Sequence, residues 1–191
     1  MQARLAAHDL ACRRGDRLLF RGLSFALEPG EALLVAGANG IGKSSLLRQL
    51  GGLLRAFAGR VEREGAAGLI DERLALDEDV ALASALDFWR RLDRTRDDAL
   101  DRMGLAGLAD VPVRYLSTGQ KKRAAFARLL AAAPPIWLLD EPLNGLDAEG
   151  QQRAEREIAD HCARGGVCVV ASHQDMALPT SRRLALAEYR A

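Results

Sequence analysis

The feature that most constrains this chain is a glycine-rich octapeptide between an apolar run and a helical pattern. It reads Gly37-Ala-Asn-Gly-Ile-Gly-Lys-Ser44 and fits the pattern GxxxxGK followed by Ser or Thr. The apolar run 32–36 before it is typical of a buried strand, and 44–54 after it has helical spacing. Glycines allow the backbone to curl until several N–H groups point inward, and the helix start adds positive potential. The octapeptide therefore predicts a phosphate-binding loop.

Two side chains of this loop have predicted roles of their own. Lys43 would place a point charge on the β- and γ-phosphates of a nucleotide, and the Ser44 hydroxyl would ligate Mg²⁺. The residues of the loop predicted to contact nucleotide are Gly37, Ala38, Asn39, Gly40, Ile41, Gly42, Lys43, Ser44 and Ser45. By itself the loop indicates a P-loop NTPase and no narrower class.

The rest of the chain alternates strand-like and helical patterns. Strands are predicted over 5–12, 18–27, 32–36, 136–140 and 167–172, and helices over 44–54, 117–133 and 148–163. The segment 71–113 is predicted to be mostly helical, from the spacing of Leu82, Leu86, Trp89, Leu92, Leu100, Met103 and Leu105. Strand, loop and helix in alternation predict one α/β domain with a parallel sheet wrapped by helices.

Composition excludes several classes of partner. The formal net charge is +1, so the chain is not expected to attract nucleic acid or an anionic lipid surface through its overall charge. The cysteines Cys12, Cys162 and Cys168 form no CxxC pair, which predicts buried thiols rather than disulfides or a zinc site. The longest apolar run, 129–139, is about half the length that a bilayer requires. No signal peptide is expected either, so a membrane role would come through partners.

A second motif is the apolar segment Ile136-Trp-Leu-Leu-Asp-Glu141, which ends in two adjacent carboxylates. In a P-loop fold such a strand ends beside the phosphates. Asp140 is predicted to hold the Mg²⁺ shell, and Glu141 to polarise the attacking water as a general base. The pair is weak evidence alone, and becomes informative because the phosphate loop precedes it.

A third motif is Leu116-Ser-Thr-Gly-Gln120, at the start of a predicted helix. Ser117 and Gly119 would offer a hydroxyl, free N–H groups and the positive end of the helix, which together form a second phosphate-binding surface. Read alone, the motif is equally well an ordinary helix N-cap. One site cannot use two such surfaces at opposite ends of a domain, so a two-fold dimer is predicted in which this motif closes over ATP held by the other subunit.

With these three motifs in order, the chain resembles the nucleotide-binding domains of the ABC transporter family over nearly its whole length. The resemblance implies a single domain over 1–191 with an antiparallel β subdomain and an inserted α-helical subdomain at about 71–133. It also implies a D-loop at Asn144-Gly-Leu-Asp147, a switch histidine at His173, and contacts of Ser117, Gly119, Gln120 and Asp147 with nucleotide in a head-to-tail homodimer. Glu141, His173 and Lys43 would be the catalytic residues, Ser44 and Asp140 the metal ligands, and ATP and Mg²⁺ the cofactors. His8 and His161 are interpreted as structural or surface residues.

A narrower resemblance is to the ATPase subunits of the haem exporter for cytochrome c biogenesis. It is carried by Leu18-Leu-Phe-Arg-Gly-Leu-Ser-Phe25, Gly104-Leu-Ala-Gly-Leu-Ala-Asp-Val-Pro-Val113 and Leu116-Ser-Thr-Gly-Gln-Lys-Lys-Arg123. It implies a peripheral subunit at the cytoplasmic face of the bacterial inner membrane, bound to integral membrane subunits. ATP turnover would then drive haem export or the release of a haem-loaded chaperone, with no haem bound to this chain.

Two positions depart from the family pattern. The family's Q-loop glutamine would fall near Asp71-Glu72, where no glutamine occurs, and its adenine-stacking aromatic near Arg14. Because arginine can stack on a base through a cation–π contact, GTP is predicted to compete measurably with ATP. The acidic residues Asp71, Glu72, Asp77, Glu78, Asp79 and Asp87 are either a docking rim for a basic loop of a membrane subunit or a solvated face.

Three other functions remain open from the sequence. The first is an ATPase subunit of another ABC transporter, with a different cargo. The second is a soluble ABC ATPase acting on DNA or ribosomes, although the chain has neither a second cassette nor a long inserted arm. The third is a non-catalytic nucleotide-binding regulator, which the missing glutamine favours and the intact Lys43, Asp140, Glu141 and His173 oppose.

Overall fold

The computed structural model of the chain describes residues 3–73, 75–93, 99–173, 176, 178 and 181–190, and of residue 93 the backbone alone. Eight strands are formed there: β1 Arg4–Arg14, β2 Arg17–Leu27, β3 Ala32–Ala36, β4 Ala58–Glu64, β5 Ala67–Ile70, β6 Ile136–Asp140, β7 Val167–Ser172 and β8 Ser181–Ala185. The α-helices are α1 Lys43–Leu50, α2 Leu82–Asp93, α3 Thr118–Ala132 and α4 Ala148–Ala163. Among the described residues no helix is long and apolar enough to cross a bilayer.

The strands form two sheets of different kinds. β2, β1 and β4 make an antiparallel sheet in that order, and a turn at Gly15, whose φ is 57°, joins β1 to β2. The other five strands pair in parallel in the order β5-β6-β7-β3-β8. Both the α/β class and the antiparallel subdomain predicted for the chain are therefore confirmed.

The parallel sheet lies between two hydrophobic cores, because successive residues of a strand point to opposite faces. On one face Leu33 and Val35 of β3 pack with α1 and the antiparallel sheet. On the other face Ala32 and Leu34 pack with α2, α3 and α4. Since both faces are covered, β6 and β7 are buried throughout, as their continuous apolar sequences indicate.

The prediction that 71–113 is mostly helical is wrong for the described part of that segment, while residues 74 and 94–98 lie outside it. Only α2 is an α-helix there, followed by short 3₁₀ turns at Ala106–Leu108 and Val113–Tyr115. Gly104, with φ of 66°, lies in a turn, and Pro112 adopts an extended conformation before the second 3₁₀ turn. The buried Leu100, Met103 and Leu105 reach the core from this irregular backbone, so their spacing mimicked a helix.

Smaller corrections concern the ends of elements. The predicted helix 44–54 stops at Leu50, because Gly51-Gly52 follows and Gly52 adopts φ of 75°. The strands β4, β5 and β8 were not predicted individually.

The cysteines are buried and free, as expected. His161 is also buried, stacked on Trp137 at 4.1 Å between ring centroids, and His8 is half-exposed beside Glu62, which fits the interpretation of the two as structural or surface residues.

Candidate nucleotide-binding and catalytic site

Three neighbouring strands of the parallel sheet end at one place and carry the predicted site residues there. The phosphate loop follows β3, Glu141 follows Asp140 at the end of β6, and His173 follows β7. Because β7 lies between β6 and β3, His173 emerges between the acidic pair and the phosphate loop. In open α/β sheets ligands bind beyond the carboxyl ends of the strands, so this edge is where a ligand is expected.

The phosphate loop depends on glycines at two turns. Gly40 and Gly42 have φ values of 75° and 118°, in a region that residues with a Cβ atom rarely occupy. A Cβ at Gly42 would also lie 3.3 Å from the Phe20 ring. The Lys43 side chain folds back over the loop, and its Nζ donates to the carbonyl oxygen of Gly37 at 2.8 Å. The cation therefore lies at the centre of the loop, where it can contact phosphate oxygens.

Glu141 connects the cation to the histidine. Its Oε1 lies 3.3 Å from Lys43 Nζ, and its Oε2 lies 2.9 Å from His173 Nδ1. Its backbone has φ of 46°, and its N–H donates to the carbonyl oxygen of Ala171 at 2.8 Å. A non-glycine residue in this left-handed region is uncommon and costs about 1 kcal/mol or more. The strained backbone turns the carboxylate back over the sheet edge, towards the other two groups.

Asp140 and Ser44 form the predicted metal pair. The Ser44 hydroxyl is hydrogen-bonded to the Asp140 carboxylate, which is 6% exposed. Burial raises the pKa of Asp140, and the Ser44 hydrogen bond acts in the opposite direction. A carboxylate beside a hydroxyl gives the hard oxygen donors that Mg²⁺ prefers. Among the described residues no group of three or more His, Cys, Asp or Glu side chains is placed to hold a metal ion.

These groups line an open cavity of about 680 Å³. Of the residues predicted from the sequence, it is lined by Asn39, Gly40, Gly42, Lys43, Ser44, Ser45, Asp140, Glu141 and His173. The other lining residues were not predicted as site residues and are Leu19, Glu72, Thr118, Lys122 and Asn144. Arg14, expected near the adenine, does not line the cavity, whereas Leu19 does.

Of the motif at 116–120, Thr118 lines the cavity, whereas Ser117, Gly119 and Gln120 do not. Ser117 is the N-cap of α3, where its Oγ accepts from Gln120 N at 3.2 Å while Gln120 Oε1 accepts from Ser117 N at 2.8 Å. This capping box satisfies the helix start locally. Gly119 packs so tightly on the next loop that a Cβ would lie 2.6 Å from the carbonyl oxygen of Gly145. Contacts of Ser117, Gly119 and Gln120 with a partner's nucleotide remain a prediction.

Asp147 is likewise engaged within the chain. Its Oδ1 accepts from Gly150 N at 2.8 Å, and the residue is the N-cap of α4. The residue is exposed and does not line the cavity. From the same predicted D-loop it is Asn144 that reaches the cavity. A role for Asp147 at a dimer interface remains a prediction.

Most acidic residues between β5 and the end of α2 pair within the chain. Asp71 contacts Arg48 at 3.0 Å, and Asp87 pairs with arginines of its own helix. Glu78 and Asp79 pair with Lys121 and Arg114 at 2.9 and 2.7 Å. This pairing favours the solvated-face interpretation for these residues over the docking rim. Glu72 is different, because it lines the cavity.

The site therefore combines a phosphate loop, a carboxylate–hydroxyl pair for a cation, and a carboxylate in contact with both a lysine and a histidine. This arrangement defines a nucleotide-hydrolysing P-loop protein. The family model for the ABC transporter matches residues 20–144. Among curated proteins, the cytochrome c biogenesis ATP-binding export protein CcmA of Novosphingobium aromaticivorans is 60% identical over 187 residues, covering 97% of each chain. CcmA of Sphingopyxis alaskensis is 53% identical, covering 94% of each chain.

Solved structures agree on the fold. A putative ABC transporter ATP-binding protein from Pyrococcus furiosus has a TM-score of 0.86 at 20% identity, covering 98% of this chain and 100% of that one. A putative metal-chelate type ABC transporter in an inward-facing conformation has a TM-score of 0.82 at 25% identity, covering 98% of this chain and 81% of that one. The chain therefore belongs to the ABC transporter family as an ATP-binding subunit, and within that family to the CcmA proteins. It is an ABC-type ATPase, as the sequence predicted.

Proposed function

We propose that this chain is the ATP-hydrolysing subunit of an ABC transporter complex for cytochrome c biogenesis. Its turnover would be coupled to haem export or to the release of a haem-loaded chaperone. The observation that carries the proposal is the 60% identity, over 97% of both chains, to a cytochrome c biogenesis ATP-binding export protein. The Lys43–Glu141–His173 contacts support an active enzyme rather than a regulator that only binds nucleotide. Integral membrane subunits would hold the chain at the cytoplasmic face of the inner membrane.

ATP would bind with its phosphates in the loop at 37–44, and Ser44 and Asp140 would hold Mg²⁺. Their adjacent hydroxyl and carboxylate fit this ion. When bound, Mg²⁺ would supply positive charge that offsets the charge of the phosphates. Lys43 lies at the centre of the loop and would add a fixed positive charge on the same oxygens.

Glu141 would act on the attacking water. Its carboxylate is 20% exposed at the cavity wall, where it would accept a proton from the attacking water. His173 Nδ1 lies 2.9 Å from Glu141 Oε2, so it would orient that carboxylate and present its other ring nitrogen to the γ-phosphate. Lys43 would exchange its Glu141 contact for phosphate oxygens when ATP enters.

Two subunits would close on two ATP molecules head to tail. The N-terminus of α3, capped by Ser117, would cover the nucleotide of the partner with its positive helix end, assisted by Gly119 and Gln120. Asp147 and its loop would lie along the dimer interface. The tight packing of Gly119 on Gly145 supports concerted motion of the helix start and this loop during opening and closing.

The proposal is tested by covalent haem staining of c-type cytochromes in source cells whose native gene encodes Lys43→Ala. Loss of stained cytochromes, with the variant protein still present, is expected because Lys43 lies at the centre of the phosphate loop. Lys121→Ala is the matched control, since this lysine pairs with the exposed Glu78 and does not line the cavity. Normal staining with Lys43→Ala would disprove the link to cytochrome maturation and leave an ABC ATPase with another cargo.

A further inference from the structure

We propose that Lys122 is a positioning residue of the nucleotide cavity, whose ammonium group acts as a resident counter-cation for Asp140 and Glu72. In this role it would replace part of the charge of Mg²⁺ and let the triphosphate enter before the metal. The inference rests on the proposed MgATP site and is independent of the cargo. Neither Lys122 nor Glu72 has a part in the hydrolysis described above.

Lys122 is placed for this role by its helix. It lies one turn inside α3 and is 8% exposed, although lysine is among the residues least often buried. Its Nζ lies 3.4 Å from the carbonyl oxygen of Glu141, and the residue lines the cavity together with Asp140, Glu141 and Glu72. Its neighbour Lys121 points elsewhere and pairs with Glu78 at 2.9 Å.

The charges around Lys122 are unbalanced without it. Asp140 acts on its ammonium group most strongly, followed by Glu72, Asp71 and Glu141. The other lysine of the cavity, Lys43, is already in contact with Glu141 and with the phosphate loop.

Glu72 is the second carboxylate that acts on Lys122, after Asp140. Among the residues that the structure describes it forms no hydrogen bond and no ion pair, yet its carboxylate faces the cavity that would hold a polyanion. An unneutralised carboxylate beside phosphates opposes their binding. Of the two lysines that line the cavity, Lys43 contacts the Glu141 carboxylate and the phosphate loop, whereas the Lys122 ammonium lies at the Glu141 backbone carbonyl.

Removing Lys122 should therefore affect the two forms of ATP unequally. Burial opposes the charged form of Lys122 and lowers its pKa, while the four carboxylates act in the other direction and favour the ammonium. Without that ammonium, metal-free ATP would meet the carboxylates directly, whereas MgATP would bring its own cation. Damage to packing alone would weaken the binding of both forms to the same extent.

The experiment measures the Kd of a fluorescent ATP analogue with excess EDTA and with excess Mg²⁺, for the purified chain and three variants. Lys122→Met should raise the Kd in EDTA about tenfold and the Kd in Mg²⁺ by less than about threefold. Glu72→Gln should lower the Kd in EDTA about threefold and leave the Kd in Mg²⁺ nearly unchanged. Lys121→Met, which removes the same charge from the same helix outside the cavity, should change neither.

Equal weakening in both solutions by Lys122→Met, or an equal effect of Lys121→Met, would overturn the counter-cation role. If Lys122→Met does not fold, Glu72→Gln decides alone, and an unchanged Kd in EDTA would overturn the inference. If the unmodified chain binds the analogue in neither solution, the proposed MgATP site fails instead. The two failures are therefore distinguishable.

Discussion

The nucleotide edge of the parallel sheet and the segment 71–117 are held in place by different means. At the edge, three adjacent strands fix where Lys43, Asp140–Glu141 and His173 emerge, and backbone hydrogen bonds set their register. The described part of the segment 71–117 contains one α-helix, and long cationic side chains anchor much of the rest of that part. Arg123 and Arg153 of α3 and α4 donate to the carbonyl oxygens of Met103 and Arg102 at 3.1 and 3.0 Å.

Because they are held in place differently, the two regions should respond to different kinds of substitution. Where the backbone sets the catalytic geometry, activity should depend on the chemistry of the side chain, and small changes in the placement of that side chain should be tolerated. A segment held by side-chain anchors is sensitive to the loss of an anchor, in proportion to how well that anchor is buried. Four predictions test this contrast, in order of decreasing effect.

The largest effect is expected for Glu141→Gln at the nucleotide edge. The variant should retain ATP and lose about 10²–10³-fold in kcat, because the amide cannot accept the proton of water while the strand still positions it. Phosphate release and size-exclusion chromatography with ATP measure turnover and dimerisation. Glu149→Gln, an exposed glutamate of α4, is the control. Unaltered turnover, or no ATP-dependent dimer, would favour the non-catalytic regulator.

The second-largest effect is a loss of folding stability in acid. It depends on His161, at the opposite end of the parallel sheet. Burial lowers the pKa of His161 from 6.5 to about 4. Below pH 6.5 the unfolded chain therefore binds a proton that the folded chain does not, so stability falls as the pH drops towards 4. The loss from this group should reach about 3 kcal/mol.

Urea unfolding of the wild type and of His161→Phe between pH 7.5 and 4.5 measures this loss. Phenylalanine preserves a ring stacked on Trp137 but cannot titrate. Its unfolding free energy should fall less with acid than that of the wild type. Parallel curves for the two proteins across this range would refute the prediction.

Within the segment 71–117, Arg102→Met should destabilise by about 2 kcal/mol. The Arg102 guanidinium pairs with Glu157, which is 7% exposed and would be left as a buried charge without this partner. The value is below that of a fully buried pair, because the Arg102 side chain is 35% exposed. Thermal unfolding measures the change, and kcat should fall less than in Glu141→Gln.

The smallest effect is expected for Arg114→Met, which is the matched control for Arg102→Met. Arg114 pairs with Asp79 at 2.7 Å, but the two side chains are 48% and 81% exposed. Such a pair contributes under about 0.5 kcal/mol, since water and salt screen it. If Arg114→Met lost as much stability as Arg102→Met, the burial of an anchoring side chain would not determine how much it stabilises this segment.

The same contrast explains what could be predicted from the sequence. The bounds of β3, β6, β7 and α4 were predicted to the residue, since each is a continuous apolar run or a periodic pattern with clear ends. Parallel strands must end at one edge, so Lys43, Asp140 and Glu141 could be placed together from the strand pattern, whereas His173 was assigned from the family resemblance. The capping role of Ser117 could also be predicted, because Gln120 follows it three residues later.

What could not be predicted depends on contacts between distant parts of the chain. Lys122 reaches the cavity because α3 packs beside β5, and Glu72 reaches it from the end of that strand. Nothing in the local pattern distinguishes Lys122 from Lys121. The irregular backbone around Leu105 was mistaken for a helix because buried leucines at helical spacing do not reveal the turn at Gly104. β8, which reads Ser-Arg-Arg-Leu-Ala, has too few apolar residues to be recognised as a strand.

The distribution of indole rings gives this protein two optical reporters. The sequence contains two tryptophans, one in the parallel sheet and one in the segment 71–117. Trp137 is 2% exposed within β6, whereas Trp89 on α2 donates to the carbonyl oxygen of Ala75 at 2.6 Å beneath the guanidinium of Arg128. Replacing either one with phenylalanine leaves a single emitter. Fluorescence during nucleotide binding would then show separately whether the sheet or the segment beside it changes its surroundings first.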